Sequence, residues 1–399
     1  MSTDAGVPAS RFRIGAITCT VVRDGSYAYA EPGHLLFTNA PQAARDSVLA
    51  ANGIDADAWH EYVSPYSALL IDTGQQHILV DTGAGDLART TGQLLHNLRA
   101  EDIDLAAIDM VVLTHAHADH VGGNLDAEGR PTFPRARWVF WRDEWEFWTG
   151  APDLSSLAVP EPIKDLLIES ARRNLLPLER RIQLIDRDTE LAPGVQAVAA
   201  AGHTPGHLAV AVASEGQRLL WSGDTFLHPV HISHPDWYAA VDLRPEQAIA
   251  TRRQLLARVA DEGMLLHAAH FPWPGLGRVR RVDAGFRWEP IGPAQPWSQA
   301  PRASKGVGGG GSCTRLGRHV PLMMSLRRVL WLGDAARRYE DVSRWMKSIS
   351  LMKVSSTPPQ PGSTPLSVIS PGGRLSGGRA WRSGPEERLV RTSWVGSSK

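Results

Sequence analysis

The segment Val111-Val112-Leu113-Thr114-His115-Ala116-His117-Ala118-Asp119-His120-Val121-Gly122-Gly123 constrains the fold more than any other stretch of the chain. An apolar run of the kind that forms a buried strand leads straight into a turn carrying three histidines and one aspartate within six positions. Imidazole and carboxylate are the donors that suit Zn²⁺, Fe²⁺ or Mn²⁺, and a tight, Gly-bounded loop at a strand end lets several point inward together. His115 and His117, two apart, face the same way from an extended backbone. Asp119 and His120 lie past the bend and can reach a second ion.

Three further segments repeat this placement. Gly202-His203-Thr204-Pro205-Gly206-His207, Ser222-Gly223-Asp224 and Ala268-Ala269-His270-Phe271-Pro272 each follow a strand-like apolar run. Their donors therefore converge on one edge of a sheet structure, and seven such residues suffice for two metals that keep an open position for water and substrate.

Strands are expected at 11–22, 68–72, 77–81, 110–114, 195–200, 208–213, 219–221 and 264–268, with a turn at Asp24-Gly25 and a hairpin turn at 73–76. Helices are expected at 40–51, 93–99, 143–148 and 245–259. Trp141, Trp145 and Trp148, four and three apart, share one face and read as core. Strands and helices interleave without a strict βαβ rhythm, which fits two sheets covered by helices better than one doubly wound parallel sheet.

The 399 residues carry equal numbers of acidic and basic side chains, but unevenly: residues 1–300 hold 25 Lys and Arg against 37 Asp and Glu, and residues 301–399 hold 17 against 5. The division sets domain expectations: a disordered start at 1–10, one folded domain at 11–291, a Gly/Pro/Ser-rich linker at 292–320, and a basic tail at 321–399 with a helix at 321–352 and disorder beyond. Two cysteines, Cys19 and Cys313, exclude a disulfide framework and a CxxC metal or redox site. With no signal-like start and no run of 18 apolar residues, no membrane partner is expected and the cytoplasm is the expected compartment.

His115-Ala-His117-Ala-Asp119-His120 with the later His203, Asp224 and His270 resembles the signature of the metallo-β-lactamase superfamily. Asp81-Thr82-Gly83 and Phe286-Arg287-Trp288-Glu289-Pro290 also resemble family features. The resemblance implies an α/β fold, the αββα four-layer sandwich. It implies two divalent metals, zinc by preference with iron, manganese or cobalt as alternatives: His115, His117 and His203 on the first, Asp119, His120 and His270 on the second, Asp224 bridging. Asp119 and Asp224 are the expected catalytic groups, moving a proton to the leaving alcohol after attack by a metal-bound hydroxide. His207, beside the signature, is expected to hydrogen-bond a ligand or its loop.

Within the superfamily, Asp224 separates the chain from antibiotic-degrading members and His117 from flavodiiron proteins. The spacing of His120, His203, Asp224 and His270 is most similar to that of the organophosphate hydrolase and acyl-homoserine lactonase branch. Lactonases there often have Tyr three residues after the bridging Asp; this chain has Leu227, so activated aryl esters and phosphotriesters are expected to be better substrates than acyl-homoserine lactones. Phe271, Trp273, Leu227 and His234 are the expected pocket residues, with residues 30–66 shaping the rest. The expected substrate is a small-molecule ester, lactone or phosphoester. Thioester hydrolysis of the glyoxalase II type is the alternative in the same chemistry, and nucleic-acid binding through the basic tail the alternative from another class. Nucleic acid is otherwise not an expected partner, and a homodimer is left open.

Overall fold

The computed structural model describes residues 8–283 and 285–292. The expected tail with its helix at 321–352, Cys313, and nearly all of the linker expected at 292–320 lie outside the described residues. So does most of the N-terminal stretch 1–10, although Ala9 and Ser10 already belong to a strand.

Two seven-stranded sheets are each built in chain order. The first comprises β1 (Ala9–Ile14), β2 (Ile17–Ala30), β3 (Glu61–Asp72), β4 (His77–Val80), β5 (Met110–Val112), β6 (Arg137–Trp141) and β7 (Ile182–Ile185). The second comprises β8 (Thr189–Ala192), β9 (Val195–Ala199), β10 (Leu208–Ser214), β11 (Gln217–Trp221), β12 (Leu265–His267), β13 (Leu276–Val282) and β14 (Gly285–Pro290). Pairing is parallel from β4 to β7 and between β11 and β12, and antiparallel elsewhere. The helices are α1 (Pro32–Leu36), α2 (Gln42–Ala51), α3 (Leu94–Ala100), α4 (Ala118–Val121), α5 (Arg142–Thr149), α6 (Glu161–Leu175), α7 (Val230–Ser233) and α8 (Pro245–Asp261). No helix among the described residues is long and apolar enough to cross a membrane.

The period-2 alternation of strand side chains divides the apolar residues between layers. Leu69, Ile71, Ile78, Val80 and Val112 of the first sheet meet Val195, Ala197, Val210, Val212 and Trp221 of the second in one buried cluster, which also takes Cys19. Ala68, Leu70, Leu79 and Val111 point the other way, against Leu94 and Leu98 of α3, Trp148 of α5 and Leu175 of α6. On the far side, Ala209, Leu220 and Leu266 pack on Leu255, Leu256 and Val259 of α8. The result is the helix-sheet-sheet-helix sandwich expected from the sequence. Central strands covered on both faces read as unbroken apolar runs, which is how Met110–Val112 appears.

Two local readings are corrected. The single strand expected over 11–22 is a hairpin, because Gly15 takes a left-handed φ of 55° and turns β1 back onto β2. The turn expected at Asp24-Gly25 is instead a register shift within β2 between Arg23 and Gly25. Asp24 turns its carboxylate inward to accept the amides of Ala84, Gly92 and Leu94, so the strand runs on to Ala30 and β3 begins at Glu61. That extension carries part of the site.

Candidate metal centre

β5 delivers the first ligand-type residues. Beyond it, Thr114 anchors the turn by donating its amide and hydroxyl to the Asp81 carboxylate at 2.8 to 3.0 Å. The same carboxylate accepts Nδ1–H of His120 at 2.9 Å. His117 stands immediately before α4, which carries Asp119 and His120. Residues 202–207 link β9 to β10 and bring in His203; a short turn after β11 brings in Asp224, and the segment after β12 brings in His270.

The chain thus brings all seven sequence-predicted residues together. His115, His117, His203 and Asp224 form one quartet, and Asp119, His120, Asp224 and His270 a second; within each, the donor atoms lie within 4.8 Å of one another. Asp224 belongs to both. Its carboxylate lies 3.7 Å from His115 Nε2, 3.5 Å from His203 Nε2, and 3.1 Å from both His120 Nε2 and His270 Nε2.

The outward ring nitrogens are tied to protein groups, which turns the inward ones toward the centre. His203 Nδ1 contacts Asp242 at 2.8 Å, and His270 Nδ1 contacts the Ser64 hydroxyl at 3.0 Å. The Tyr62 hydroxyl donates to the His270 carbonyl at 2.7 Å. His207 is held neutral, its pKa pushed by burial down to about 3. Its Nδ1 faces the Ala200 carbonyl at 3.2 Å, and its Nε2 accepts the Asp224 amide at 3.0 Å, so His207 fixes the backbone of the shared aspartate.

Electrostatics divide the histidines. His115 and His117 are driven well below the ordinary imidazole range by burial and by neighbouring imidazoles. For His120 and His270 burial pushes the same way, but Asp224 and Asp119, joined by Asp81 for His120, outweigh it and raise both. Burial would raise Asp224, yet His120 and His270 hold it well below the usual carboxylate range.

Nε2 of His115, His117 and His120 and Oδ1 of Asp224 are buried without a hydrogen-bond partner. A buried polar group left unsatisfied costs about 1–3 kcal/mol. Those of His115, His120 and Asp224 converge, the two imidazole nitrogens lying 3.7 and 3.1 Å from the Asp224 carboxylate, and a cation accounts for them; His117 faces the same centre through Nδ1, 3.0 Å from His203 Nε2. Imidazole with carboxylate is a donor set for divalent transition metals.

Beside the quartets lies a cavity of about 130 Å³ whose walls include His117, Asp119, His203, Asp224 and His270. Leu35, Leu36, Leu87, Ile163, Leu167, Leu227 and Val241 supply an apolar lining, and Tyr29, Tyr62, Ser64 and Tyr66 the hydroxyls. Leu227 is on this wall, and several residues of 30–66 join it. Phe271, Trp273 and His234 are not. Phe271 is buried edge-on against Trp288, Trp273 packs on the inter-sheet core under the Arg23 guanidinium, and His234 stacks on Trp237. For Phe271 and Trp273, adjacency to His270 in sequence misled, because the chain turns through residues 269–274 and sends neighbouring side chains in different directions. Trp141 belongs to the inter-sheet core, whereas Trp148 lies in the core between the first sheet and its helices, against which Trp145 packs, so the three do not share the one face expected from their spacing.

Asp242, Arg252, Ser64 and Tyr62 were not singled out from the sequence. Asp81 had only its place in the Asp-Thr-Gly triplet as a signal.

A two-sheet sandwich with paired His/Asp quartets at one edge is the architecture of a metal-dependent hydrolase. The chain belongs to the metallo-beta-lactamase superfamily, whose profile matches residues 62–270, more than half of its length. It is 32% identical over 158 residues to the Beta-lactamase-like protein 2 homolog of Drosophila melanogaster; the match spans 40% of this chain and 46% of that relative. Among solved structures it is similar to AidC, a dizinc quorum-quenching lactonase in complex with a homoserine product, at 26% identity and a TM-score of 0.66, covering 72% of this chain and 98% of that one. It is also similar to the hydrolase AbOPH of the beta-lactamase superfamily, at 25% identity and a TM-score of 0.64, covering 73% of this chain and all of the other.

Proposed function

We propose that the chain is a dinuclear hydrolase of small esters, lactones or phosphoesters bearing an apolar group, with zinc as the metal of choice. His115, His117 and His203 hold one ion, Asp119, His120 and His270 the other, and Asp224 both. The observation that carries the reading is the position of both quartets on the wall of one largely apolar cavity. Two divalent cations, when bound, lower the pKa of water toward neutrality and neutralise charge developing on the substrate oxygen.

The chain's own residues do the rest. Leu35, Leu36, Ile163, Leu167 and Leu227 exclude water and hold the apolar part of the substrate. Asp119 lines the cavity and its side chain is 13% exposed, which suits it to pass a proton to the departing alcohol or phenol. Asp224, buried among four imidazoles, keeps its charge and serves as the fixed anion of the site.

Within this substrate class two observations pull apart. The likeness to AidC favours lactones. Leu227 favours activated esters, because it offers no hydroxyl to a carbonyl oxygen. Of the wall hydroxyls, Tyr62 is spent on the His270 carbonyl, while Ser64 contacts His270 Nδ1 and Tyr29 and Tyr66 share one hydrogen bond. One oxyanion donor is worth about 10²–10³ in turnover, so aryl esters and phosphotriesters are the favoured substrates.

The test is kcat/KM for an aryl ester, a phosphotriester and a long-chain acyl-homoserine lactone on one zinc-loaded preparation. Higher values for the aryl ester or the phosphotriester are expected, falling at least tenfold in Leu167→Asp. A hundredfold preference for the lactone would overturn the argument from Leu227, and no turnover of any of the three would overturn the substrate class.

A further inference from the structure

Glu144 lies in the first turn of α5 and is fully buried, yet it contacts neither the cavity nor a quartet donor. Its carboxylate accepts three protein hydrogen bonds from three separate places. Oε1 takes the Ala116 amide at 3.1 Å and the Trp148 indole N–H at 2.7 Å; Oε2 takes the Gly206 amide at 2.9 Å. Ala116 is the residue between His115 and His117. Gly206 is on the loop that carries His203. One carboxylate therefore ties together the two loops that furnish every imidazole of the first quartet.

The approach is built on both sides. A Cβ added at Gly206 would lie 2.3 Å from the Glu144 backbone nitrogen, so only glycine lets this loop come against α5. Trp148, fixed by the same carboxylate, sets its ring edge-on to His117 at 5.7 Å. The second quartet depends on other groups: Asp81 holds His120, and Ser64 and Tyr62 hold His270.

We propose that Glu144 is a positioning residue of the first metal quartet, bracing the 115–117 and 202–207 loops so that His115, His117 and His203 converge, while the second quartet stands without it. An acceptor is needed because the Ala116 and Gly206 amides are buried donors whose alternative is a shift of the loops toward water. Gln keeps the shape but offers one oxygen where the two loops need two, and its amide nitrogen faces an N–H. Asp keeps both oxygens but is one methylene short of spanning the gap. The proposal rests on the dinuclear reading above and concerns only which residue organises one half of it.

The experiment is a zinc titration of the full chain, with bound zinc measured after dialysis against a graded series of chelator concentrations. Wild type is expected to hold two equivalents. In Glu144→Gln one equivalent is expected to weaken by about 10- to 100-fold, the range typical for groups that orient metal ligands, while the other keeps its wild-type affinity. Adding His117→Ala to Glu144→Gln should leave one tight equivalent, and adding His270→Ala should leave none. If Glu144→Gln does not fold, Glu144→Asp decides, with the same single loss expected. Two equivalents at wild-type affinity in the folded variant, or equal weakening of both, would overturn the brace. A wild-type chain that takes up no zinc would instead overturn the dinuclear reading itself.

Discussion

His203 Nδ1 lies 2.8 Å from the carboxylate of Asp242, and the other oxygen of that carboxylate lies 2.8 Å from the guanidinium of Arg252. All three residues are buried, and Arg252 also donates to the carbonyls of Thr225 and Trp237. A ligand-type histidine is thereby coupled to an ion pair inside the protein. Burial would raise Asp242, but Arg252 and His203 hold it well below the usual carboxylate range.

Replacing Asp242 by Asn keeps the shape and removes the charge, which leaves Arg252 buried without its counterion. Breaking a buried pair from one side costs about 3–5 kcal/mol. Urea unfolding at neutral pH should show a loss of that size, together with weaker zinc binding through His203. Unchanged stability would mean that the Arg252 charge is compensated elsewhere.

Acid should destabilise the fold well above the carboxylate range. His207 and His267 are both pushed by burial down to about 3, from an ordinary value near 6.5. Because the unfolded chain binds these protons first, stability is full above about pH 6.5 and falls as pH drops from there toward 3, by up to about 1.4 kcal/mol per pH unit per group. His267 is stacked on Trp221 at 4.1 Å, so Phe can take its place. In denaturant unfolding from pH 7 to pH 4, His267→Phe should show a shallower decline than wild type; a parallel decline would remove His267 from the account.

The ligand-type residues were legible in the sequence because metal chemistry demands rare residue types at strand ends, and His115 to His120 cluster within a few positions. The layers were legible because apolar runs such as 68–72 and 110–114 report burial directly. What supports the site was not. Glu144, Asp242 and Arg252 are single charged residues on or beside helices, where a charge ordinarily marks the solvated face. Only the packing of distant loops against them reveals their role. The same holds for β2, whose continuation past Gly25 depends on Asp24 finding amides some 60 residues away.

Truncation after Ala300 should leave a chain that folds and hydrolyses as the full one does. Every quartet residue precedes Pro290, and the composition changes after it to a Gly-, Pro- and Ser-rich stretch of the kind that makes few packing contacts. Thermal unfolding and aryl ester turnover of the two proteins would be compared. A fall of more than a few degrees in midpoint in the shortened chain would show that residues beyond 300 pack into the fold.

In the proposed dinuclear site one carboxylate, Asp224, serves two metal ions. The most direct test of this is the metal content of purified wild type and Asp224→Ala after zinc loading and desalting, with circular dichroism to establish that both are folded. Close to two equivalents are expected for wild type and weakening of both sites in the variant, with hydrolysis abolished and not restored by added zinc. Full metal content and full activity in folded Asp224→Ala would contradict it.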